Sequence, residues 1–547
     1  MGVPFGNPAF VSAHLRKLAA ADGPNARTVT ALLRLTSART KLILLRDCVN
    51  PRLGYALRTS APALVAPVAA AWDTLVQYGV ESAMGLQQRL GQHQQLPSPM
   101  QLAAELQMPG AAVAQMQLPG RHGGFGMRSA AATSAAAYTA GMAVAAPRAL
   151  DRIAASSDAH AALLAQGLQV PVLQSLASSV ATLQQQLGDS FPVDCVQAAV
   201  LAHAQQNPAH GHVDIQSLIQ EGPKLGAQRK LSRALAIEGA KNVAAAIASM
   251  PDPVAREEEQ ARYSGLTCDG SLGSAYLHTP ITARNAWFDG ELFQLTACRQ
   301  LGMEQHTEVC AACGLLRGGT VHARFCRAPG MAGQQTVVHH AVCRALRELV
   351  QESTGTQVEA ESYAPFAGGD AADVSKHMDL LAQPGAFPHT AVSDPAYVKR
   401  LMVDFSHIEE QSGTHRHQAS TDARVCCTER EHTKENHYGG SFNPHSYTLA
   451  TAAITSFGVT GAQFSGLIQA MANEHVARRG FVAEGTLMAD AVRRFKSSTV
   501  ARIRGRLSIA LNAALSARVL KYKSTAFGGL AAGVQAEAAA AEVWELD

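Results

Sequence analysis

Three cysteines and one histidine between residues 310 and 326 have the spacing of a zinc site. Cys310 and Cys313 are separated by two residues, so that both thiolates can bind one ion from a single turn. His322 follows Cys313 after eight intervening residues, and Cys326 comes four positions after His322; these two would complete a tetrahedron from a short helix or turn. Because all four ligands would come from the protein, the pattern predicts a structural Zn²⁺. The alternative is that these four residues do not bind a common ion and simply lie in a Cys-rich stretch.

A second group of residues is acidic and lies on segments that we predict to be β-strands. It comprises Asp379 and Asp404, with Glu361 upstream and Lys434 downstream. Enzymes that cut phosphodiesters bind Mg²⁺ or Mn²⁺ through carboxylate oxygens, and a lysine can orient the attacking water or stabilise developing charge. We therefore expect Asp379 and Asp404 to hold the metal and Lys434 to assist catalysis. The alternative interpretation is that these acidic residues lie at solvent-exposed strand ends and have no catalytic role.

Basic residues are concentrated near the end of the chain. Between Val476 and Lys523 there are eleven Lys and Arg residues but only two acids, Glu484 and Asp490. Release of counterions from phosphates would make such a segment bind nucleic acid. The residues predicted to contact nucleic acid are Arg493, Arg494, Lys496, Arg502, Arg504 and Arg506. The alternative is that these residues form a solvated helix face, which would have the same composition.

Histidines are frequent between His407 and His445, and a Cys426–Cys427 pair lies among them. The six are His407, His415, His417, His432, His437 and His445. We expect this stretch to be a polar loop, with a second metal site as the alternative.

The elements that must position these residues differ between the two halves of the chain. No strand pattern occurs before about residue 260, so the first half is predicted to be helical. A predicted helix over Val337–Gln351 is followed by strand-like runs at Thr356–Ser362, His377–Leu381 and Val398–Ser406, and a helical segment over Gln463–Lys521 comes last. This order predicts an α/β module with helices packed on a small sheet.

Composition excludes several classes of protein. The chain has 547 residues, of which 47% are hydrophobic and 16% charged, and this excludes a highly charged disordered protein. Its net charge of +3 is too small to indicate nucleic-acid binding by itself. No signal peptide or strongly apolar segment of membrane-spanning length is evident. We expect an intracellular protein without a membrane partner, with its oligomeric state left open.

Several motifs resemble the part of non-LTR retrotransposon polyproteins that follows the reverse-transcriptase palm. In the first half these are GVPFGNPAFV (Gly2–Val11), LILLRDCVNPRLGYALRTSAP (Leu42–Pro62), which resembles a thumb-like helix, and LPGRHGGFGMRSA (Leu118–Ala130), which resembles a glycine-rich turn. In the second half the Cys/His set resembles the family's CCHC zinc knuckle. His340 and its helix are similar to an "R-H-N" segment, and Tyr438–Gly461 resembles a further block of the family.

The resemblance also covers the acidic residues. Asp379 and Asp404 are similar to the two aspartates of the family's restriction-enzyme-like, PD-(D/E)XK-type endonuclease, and Lys434 and Tyr438 to its downstream lysine and tyrosine. The domains that it implies are a thumb-like helical region (1–146), a helical linker (147–290), the zinc knuckle (291–330), the endonuclease module (331–460) and a basic helical region (461–547).

The chain departs from the family pattern at several positions. Met378 replaces the proline before the first aspartate, Ser406 stands where a D-x-K lysine would, and Ala341 follows His340. No F/Y-x-DD motif occurs, so reverse-transcriptase activity is not expected. The resemblance implies a truncated retroelement protein in the nucleus that nicks target DNA with Mg²⁺ or Mn²⁺. The alternatives are a non-enzymatic remnant that binds DNA or RNA, and an inactive pseudogene product.

Overall fold

The protein forms two compact units, residues Met1–Ala245 and Ala246–Asp547. The computed structural model describes residues 7–20, 22–87, 96–155, 171–205, 213–304, 306–310, 312–314, 316–329, 331, 334–367, 376–479 and 486–527. No helix among these residues is both long enough and apolar enough to cross a membrane. The finer division into five domains stays a prediction, as does the similarity at Gly2–Val11, because residues 1–6 lie outside the described part.

The first unit is helical wherever the structure describes it, as the sequence predicted. Its helices are α1 (Pro8–Leu18), α2 (Pro24–Leu33), α3 (Ala38–Leu44), α4 (Gly54–Thr59), α5 (Pro62–Ala83), α6 (Pro99–Glu105), α7 (Gly110–Gln117), α8 (Ala130–Ala154), α9 (Pro171–Leu187), α10 (Ala198–Gln205), α11 (Ile215–Glu221) and α12 (Ala227–Ala248), the last of which continues past the boundary of the unit.

The glycine-rich motif forms a tight turn before α8. A Cβ atom at Gly124 would lie 2.1 Å from the carbonyl oxygen of Leu118, so only glycine fits this close backbone approach. Ser129 then caps α8, and the Asp73 carboxylate accepts hydrogen bonds from the Ser129 hydroxyl and from the N–H groups of Ala130 (both 2.6 Å) and Ala131 (3.1 Å). A carboxylate at this position also interacts favourably with the helix dipole.

The second unit combines helices with two small sheets. Its elements are α13 (Pro253–Thr267), α14 (Gly290–Gln300), β1 (His306–Val309), β2 (Leu316–Gly319), α15 (Thr320–Ala323), α16 (Gln334–Thr354), β3 (Val358–Ser362), β4 (Met378–Ala382), α17 (Pro388–Ala391), β5 (Arg400–Ile408), α18 (Arg416–Thr421), α19 (Ala423–Tyr438), β6 (Tyr447–Thr455), α20 (Ala462–Arg478) and α21 (Thr486–Phe527). Strands β1 and β2 form an antiparallel hairpin.

The larger sheet has four strands in the order β3-β4-β5-β6. The pairs β3–β4 and β4–β5 are antiparallel, whereas the pair β5–β6 is parallel. The chain passes from β5 to β6 through α18 and α19. All three predicted strands are confirmed. The mixed sheet also contains β6, a strand that the sequence analysis did not assign.

Helices cover both faces of this sheet. Leu401, Val403 and Phe405 of β5 belong to a buried cluster that includes side chains of α16, α20 and α21. On the other face, Met402 packs with Tyr438 of α19. Because β5 is buried on both sides, it contains the apolar run Leu401–Val403, and the acidic Asp404 that follows this run is buried as well.

The prediction of a polar loop from His407 to His445 is wrong. His407 belongs to β5, and most of the stretch forms helices α18 and α19. Asp422 begins α19 by accepting a hydrogen bond from the N–H of Arg424 at 2.9 Å. The buried side of α19 includes Cys426 and Cys427, which pack with Ile408 of β5. These buried apolar contacts stabilise α19, which its polar composition did not lead us to predict.

Candidate functional site

The predicted zinc ligands converge in the structure. Cys310 follows β1, Cys313 lies in the turn before β2, His322 is on α15 and Cys326 comes just after it. The four ligand atoms lie within 4.8 Å of one another, with 3.9 Å between the sulfurs of Cys310 and Cys326 and 3.2 Å between Cys313 Sγ and His322 Nε2. Tetrahedral coordination at ~2.3 Å per Zn–S bond separates two sulfurs by ~3.8 Å. This Cys₃His cluster could therefore hold a metal ion such as zinc.

Helix α21 supports the Cys₃His cluster from outside. The Tyr522 hydroxyl donates to Cys310 Sγ at 3.4 Å, and the Arg518 guanidinium donates to the carbonyl oxygens of Ala323 (3.1 Å) and Cys326 (3.3 Å). Hydrogen bonds of this kind orient ligands around a metal.

The pKa values of three ligands in the Cys₃His cluster are shifted, and not all in the direction that favours a metal ion. Burial opposes ionisation of Cys310, but hydrogen bonds from Tyr522 and from backbone N–H groups bring the pKa of its thiol below the ordinary value. Burial, and then the charge of Arg518, lower the pKa of His322, so the imidazole is neutral near pH 7. Burial raises the pKa of the Cys326 thiol to about 11. Thiolates and neutral imidazoles are the forms that coordinate metals, so the shifts at Cys310 and His322 favour metal binding and the shift at Cys326 opposes it.

Three acidic residues lie in a row across strands β3, β4 and β5. The β4–β5 register pairs Leu380 with Val403, and one further step sets Asp379 opposite Asp404. On the other side of β4, the register pairs Ala360 with Leu380 and Ser362 with Met378, which sets Glu361 opposite Asp379. Opposite residues in an antiparallel pair have Cβ atoms roughly 4.5–5.5 Å apart. The two predicted catalytic aspartates therefore occupy adjacent positions on neighbouring strands, but their contacts come from different helices: Asp379 contacts His339 of α16, whereas Asp404 contacts Lys434 and Tyr438 of α19. Glu361 is exposed and has a positive φ of 48°.

Asp404 is deeply buried, and a cation and a hydroxyl compensate its charge. Lys434 Nζ lies 3.0 Å from both carboxylate oxygens, and the Tyr438 hydroxyl donates to Oδ1 at 2.8 Å. The ammonium group is aligned for a hydrogen bond to Oδ1, which leaves Oδ2 buried without a hydrogen-bond donor. An unpaired carboxylate at this depth would be strongly destabilising. Lys434 thus reaches the predicted site from α19.

Asp379 is held by the backbone of the next strand and by a histidine. Its Oδ2 accepts a hydrogen bond of 2.6 Å from the N–H of Phe405, and its Oδ1 lies 2.9 Å from His339 Nε2 on α16. The hydrogen bond to Asp379 raises the pKa of His339 above its ordinary value, in spite of partial burial. The Phe405 N–H fixes the carboxylate next to the end of the β4–β5 pairing.

Sequence reasoning missed His339 and selected its neighbour His340 instead. His340 is exposed, whereas His339 faces Asp379 and has Cys343 one helical turn away, with 3.6 Å between His339 Nε2 and Cys343 Sγ. The signal that could have found them is the His-x₃-Cys spacing on a predicted helix, which places both side chains on one face.

The basic residues of α21 do not form one free surface. Arg506 forms ion pairs with Glu348 (2.5 Å) and Glu352 (2.8 Å) of α16, and Arg504 donates to the carbonyl oxygen of Gly270. Arg502 lies 3.9 Å from Glu352 and 3.2 Å from His475 Nε2. The exposed or half-exposed remainder of the predicted set is Arg493, Arg494 and Lys496, and Arg493 forms an ion pair with Asp490.

The six histidines between residues 407 and 445 do not converge. His407 is partly buried with its Nε2 2.9 Å from Ser456 Oγ, and desolvation lowers its pKa to about 4. His417 lies beside Glu257, and His432 beside Glu435. Within the described part of the chain, potential metal-ligand clusters include none of the six.

Comparisons with known proteins name no relative. No protein-family model matches the chain, and no curated protein matches it either. The similarity to non-LTR retrotransposon proteins therefore stays a prediction from the motifs. Function must be inferred from the residues and contacts described above.

Proposed function

We propose that the second unit is a divalent-metal-dependent DNA endonuclease module of the PD-(D/E)XK type, from the post-palm part of a non-LTR retroelement protein. The observation that carries this proposal is the row of Glu361, Asp379 and Asp404 with Lys434 at its end. Hydrolysis of a phosphodiester needs oxygen ligands for a metal and a positive charge near the phosphate. The carboxylates of Asp379 and Asp404 and the ammonium group of Lys434 would supply both.

The acidic row fits a hard divalent cation. Asp404 Oδ2 is a buried carboxylate oxygen that accepts no aligned hydrogen bond, and Lys434 Nζ lies 3.0 Å from it, so a metal ion bound there would share Oδ2 with the ammonium group or displace it. Asp379 would supply the second carboxylate. When bound, Mg²⁺ or Mn²⁺ would polarise the phosphate and lower the pKa of a coordinated water.

The chain's own groups have distinct roles in this proposal. The Phe405 N–H holds the Asp379 carboxylate against the backbone of β5. The Lys434 ammonium neutralises Asp404 in the free protein, and it would orient the water or stabilise charge on the phosphate when DNA is bound. The Tyr438 hydroxyl donates to Asp404 Oδ1, and the metal would bind at Oδ2, which has the Lys434 ammonium 3.0 Å away.

We also propose that the Cys₃His cluster holds a structural Zn²⁺. Four protein ligands leave no coordination position for a substrate. The ion would tie the β1–β2 hairpin to α15, and Tyr522 and Arg518 would connect it to α21. Its role is to stabilise this segment of the unit.

Binding of DNA or RNA without cleavage is the second candidate function. The observation that favours it is that Lys434 already neutralises Asp404. In that case Arg493, Arg494 and Lys496 would contact phosphates and the acidic row would have no catalytic role.

A plasmid-nicking assay distinguishes the two functions. Purified protein with Mg²⁺ or Mn²⁺ should convert supercoiled plasmid to the open circle, and Asp404→Asn should abolish nicking because it removes a carboxylate while it keeps the size of the side chain. Exposed Asp269→Asn is the matched control and should nick like the wild type. Failure of the wild type to nick, with DNA binding intact, would favour the binding protein.

A further inference from the structure

A second set of potential metal ligands lies beside the acidic row and is separate from the Cys₃His cluster. It consists of His339 and Cys343, both on α16, and Asp379 on β4. One ligand atom from each of the three residues lies within 4.8 Å of the others. The separations are 2.9 Å between His339 Nε2 and Asp379 Oδ1 and 3.6 Å between His339 Nε2 and Cys343 Sγ.

The backbone fixes this arrangement firmly. His339 and Cys343 are four residues apart on a helix, the spacing at which paired ligands bind one ion from a helix face. Helix α16 is anchored by Val338 and Val342, which are fully buried next to these two residues. Asp379 is held by the N–H of Phe405 at 2.6 Å. Little rearrangement is therefore needed for the three groups to bind a common ion.

The ligand types decide which ion would bind. Imidazole and thiolate groups prefer Zn²⁺ and similar transition-metal ions, whereas Mg²⁺ takes almost only oxygen ligands. Three protein ligands leave at least one coordination position for water or an exchangeable ligand, as in zinc sites that are not purely structural. The His339 side chain is 34% exposed, so that position is reachable from solvent.

The charges around the three ligands favour a cation. Burial, and then the negative charges of Asp379, Asp404 and Glu361, raise the pKa of the Cys343 thiol. The same carboxylates attract a divalent ion, which would displace the thiol proton on binding. Lys434 is the positive group that opposes this attraction, and it is paired with Asp404.

We propose that His339, Cys343 and Asp379 form a second metal site, which takes Zn²⁺ or a similar thiophilic divalent ion. This site does not depend on the proposed nuclease function, because it requires only that the three side chains bind a common ion. It shares Asp379 with the acidic row but no residue with the Cys₃His cluster.

The test counts zinc in the full-length chain. The tag-free protein is incubated with excess Zn²⁺, passed through a desalting column and analysed for zinc by mass spectrometry. The wild type should retain two Zn²⁺ per chain, and Cys343→Ser and His339→Gln should each retain one. His340→Ala is the matched control, because His340 is the exposed neighbour of His339, and it should retain two.

A spectroscopic measurement covers the case in which a variant folds poorly. Cadmium also replaces zinc in the Cys₃His cluster, so cadmium added to each protein should produce ultraviolet thiolate-to-metal absorption in all of them, and the absorption of the wild type and of His340→Ala should exceed that of Cys343→Ser by the contribution of one thiolate. Circular dichroism identifies variants that have lost their helices. One zinc per chain in the wild type, or a second zinc retained by both Cys343→Ser and His339→Gln, would overturn the proposal. Neither result depends on whether the protein nicks DNA.

Discussion

Asp404 shows how single residues define the candidate site. A carboxylate in the middle of an apolar strand is stable only with compensating partners, and here these are Lys434 and Tyr438, both from α19. The partners lie thirty and thirty-four residues further along the chain. The family resemblance linked these positions, whereas local sequence patterns could not, because the intervening stretch was predicted to be a loop.

Removal of the Tyr438 hydroxyl tests this description of Asp404. Tyr438→Phe should lower the free energy of unfolding by about 1–3 kcal/mol, since the lost hydrogen bond has a charged acceptor that remains buried. Urea denaturation of the two proteins measures this difference. Tyr363→Phe is the matched control, because Tyr363 is 54% exposed, and it should change the stability little. Equal effects of the two substitutions would contradict the role assigned to Tyr438.

Helix α21 shows that charge along one element can serve two purposes. Arg506 is paired with the acids of α16 and contributes to packing, whereas Arg494 and Lys496 are not assigned ion pairs there. The number of basic residues in this segment of the sequence is therefore larger than the number that are available to contact nucleic acid. The part of α21 nearer its beginning is the candidate for phosphate contacts.

The salt dependence of DNA binding tests this division of α21. Substitution of Arg493, Arg494 and Lys496 by Gln should weaken binding and reduce the log–log salt slope by up to ~0.9 for each lost phosphate contact. Fluorescence anisotropy with a duplex oligonucleotide at several salt concentrations measures both quantities. The control variant carries Arg148→Gln and Arg152→Gln, two exposed arginines of the first unit. An unchanged slope in the triple variant would show that this segment is only a solvated helix face.

Elements with a strong local pattern were predicted well. Helix α16 has Val338, Val342 and Leu346 on one buried face, and strands β3 to β5 follow β-type runs. Strand β6 was missed because its core positions include Ala450, Ala452 and Ala453, and alanine favours helices rather than strands. The Cys₃His ligands were predicted because their spacing is local. His339 and Asp379 are brought together only by the packing of α16 on the sheet, which spacing in the sequence does not specify.

At the scale of the whole second unit, a buried network of charges links the Cys₃His segment to the sheet. Arg324, whose side chain is fully buried, donates to Glu409 just after β5 at 3.0 Å and also pairs with Glu304. The neighbouring Glu410 accepts hydrogen bonds from the N–H groups of Ser456 (2.8 Å) and Phe457 (3.0 Å). Such a network stabilises the unit only while each charge keeps its partner.

Glu410 should make the stability of the protein depend on pH. Burial, and then the negative charge of Glu409, raise the pKa of Glu410 to about 7. A carboxyl whose pKa is higher in the folded than in the unfolded state contributes stability at low pH that is lost as the pH rises through about 4.5 to 7. Glu410→Gln lacks this titration. Its free energy of unfolding, relative to that of the wild type, should therefore increase between pH 5 and pH 8.

Urea denaturation at both pH values measures this change. Exposed Glu429→Gln is the control and should keep the same difference from the wild type at both pH values. A pH-independent difference for Glu410→Gln would show that Glu410 has an ordinary pKa in the folded protein.

The position of a bound Mn²⁺ tests the proposed catalytic site most directly. Crystals of the protein soaked in Mn²⁺, with X-ray data collected at the manganese absorption edge, should give an anomalous peak ~2.1 Å from carboxylate oxygens of both Asp379 and Asp404. The peak should be lost in crystals of Asp404→Asn. If no peak lies between the two aspartates, or if the same peak persists in Asp404→Asn, the acidic row is not the metal site of a nuclease.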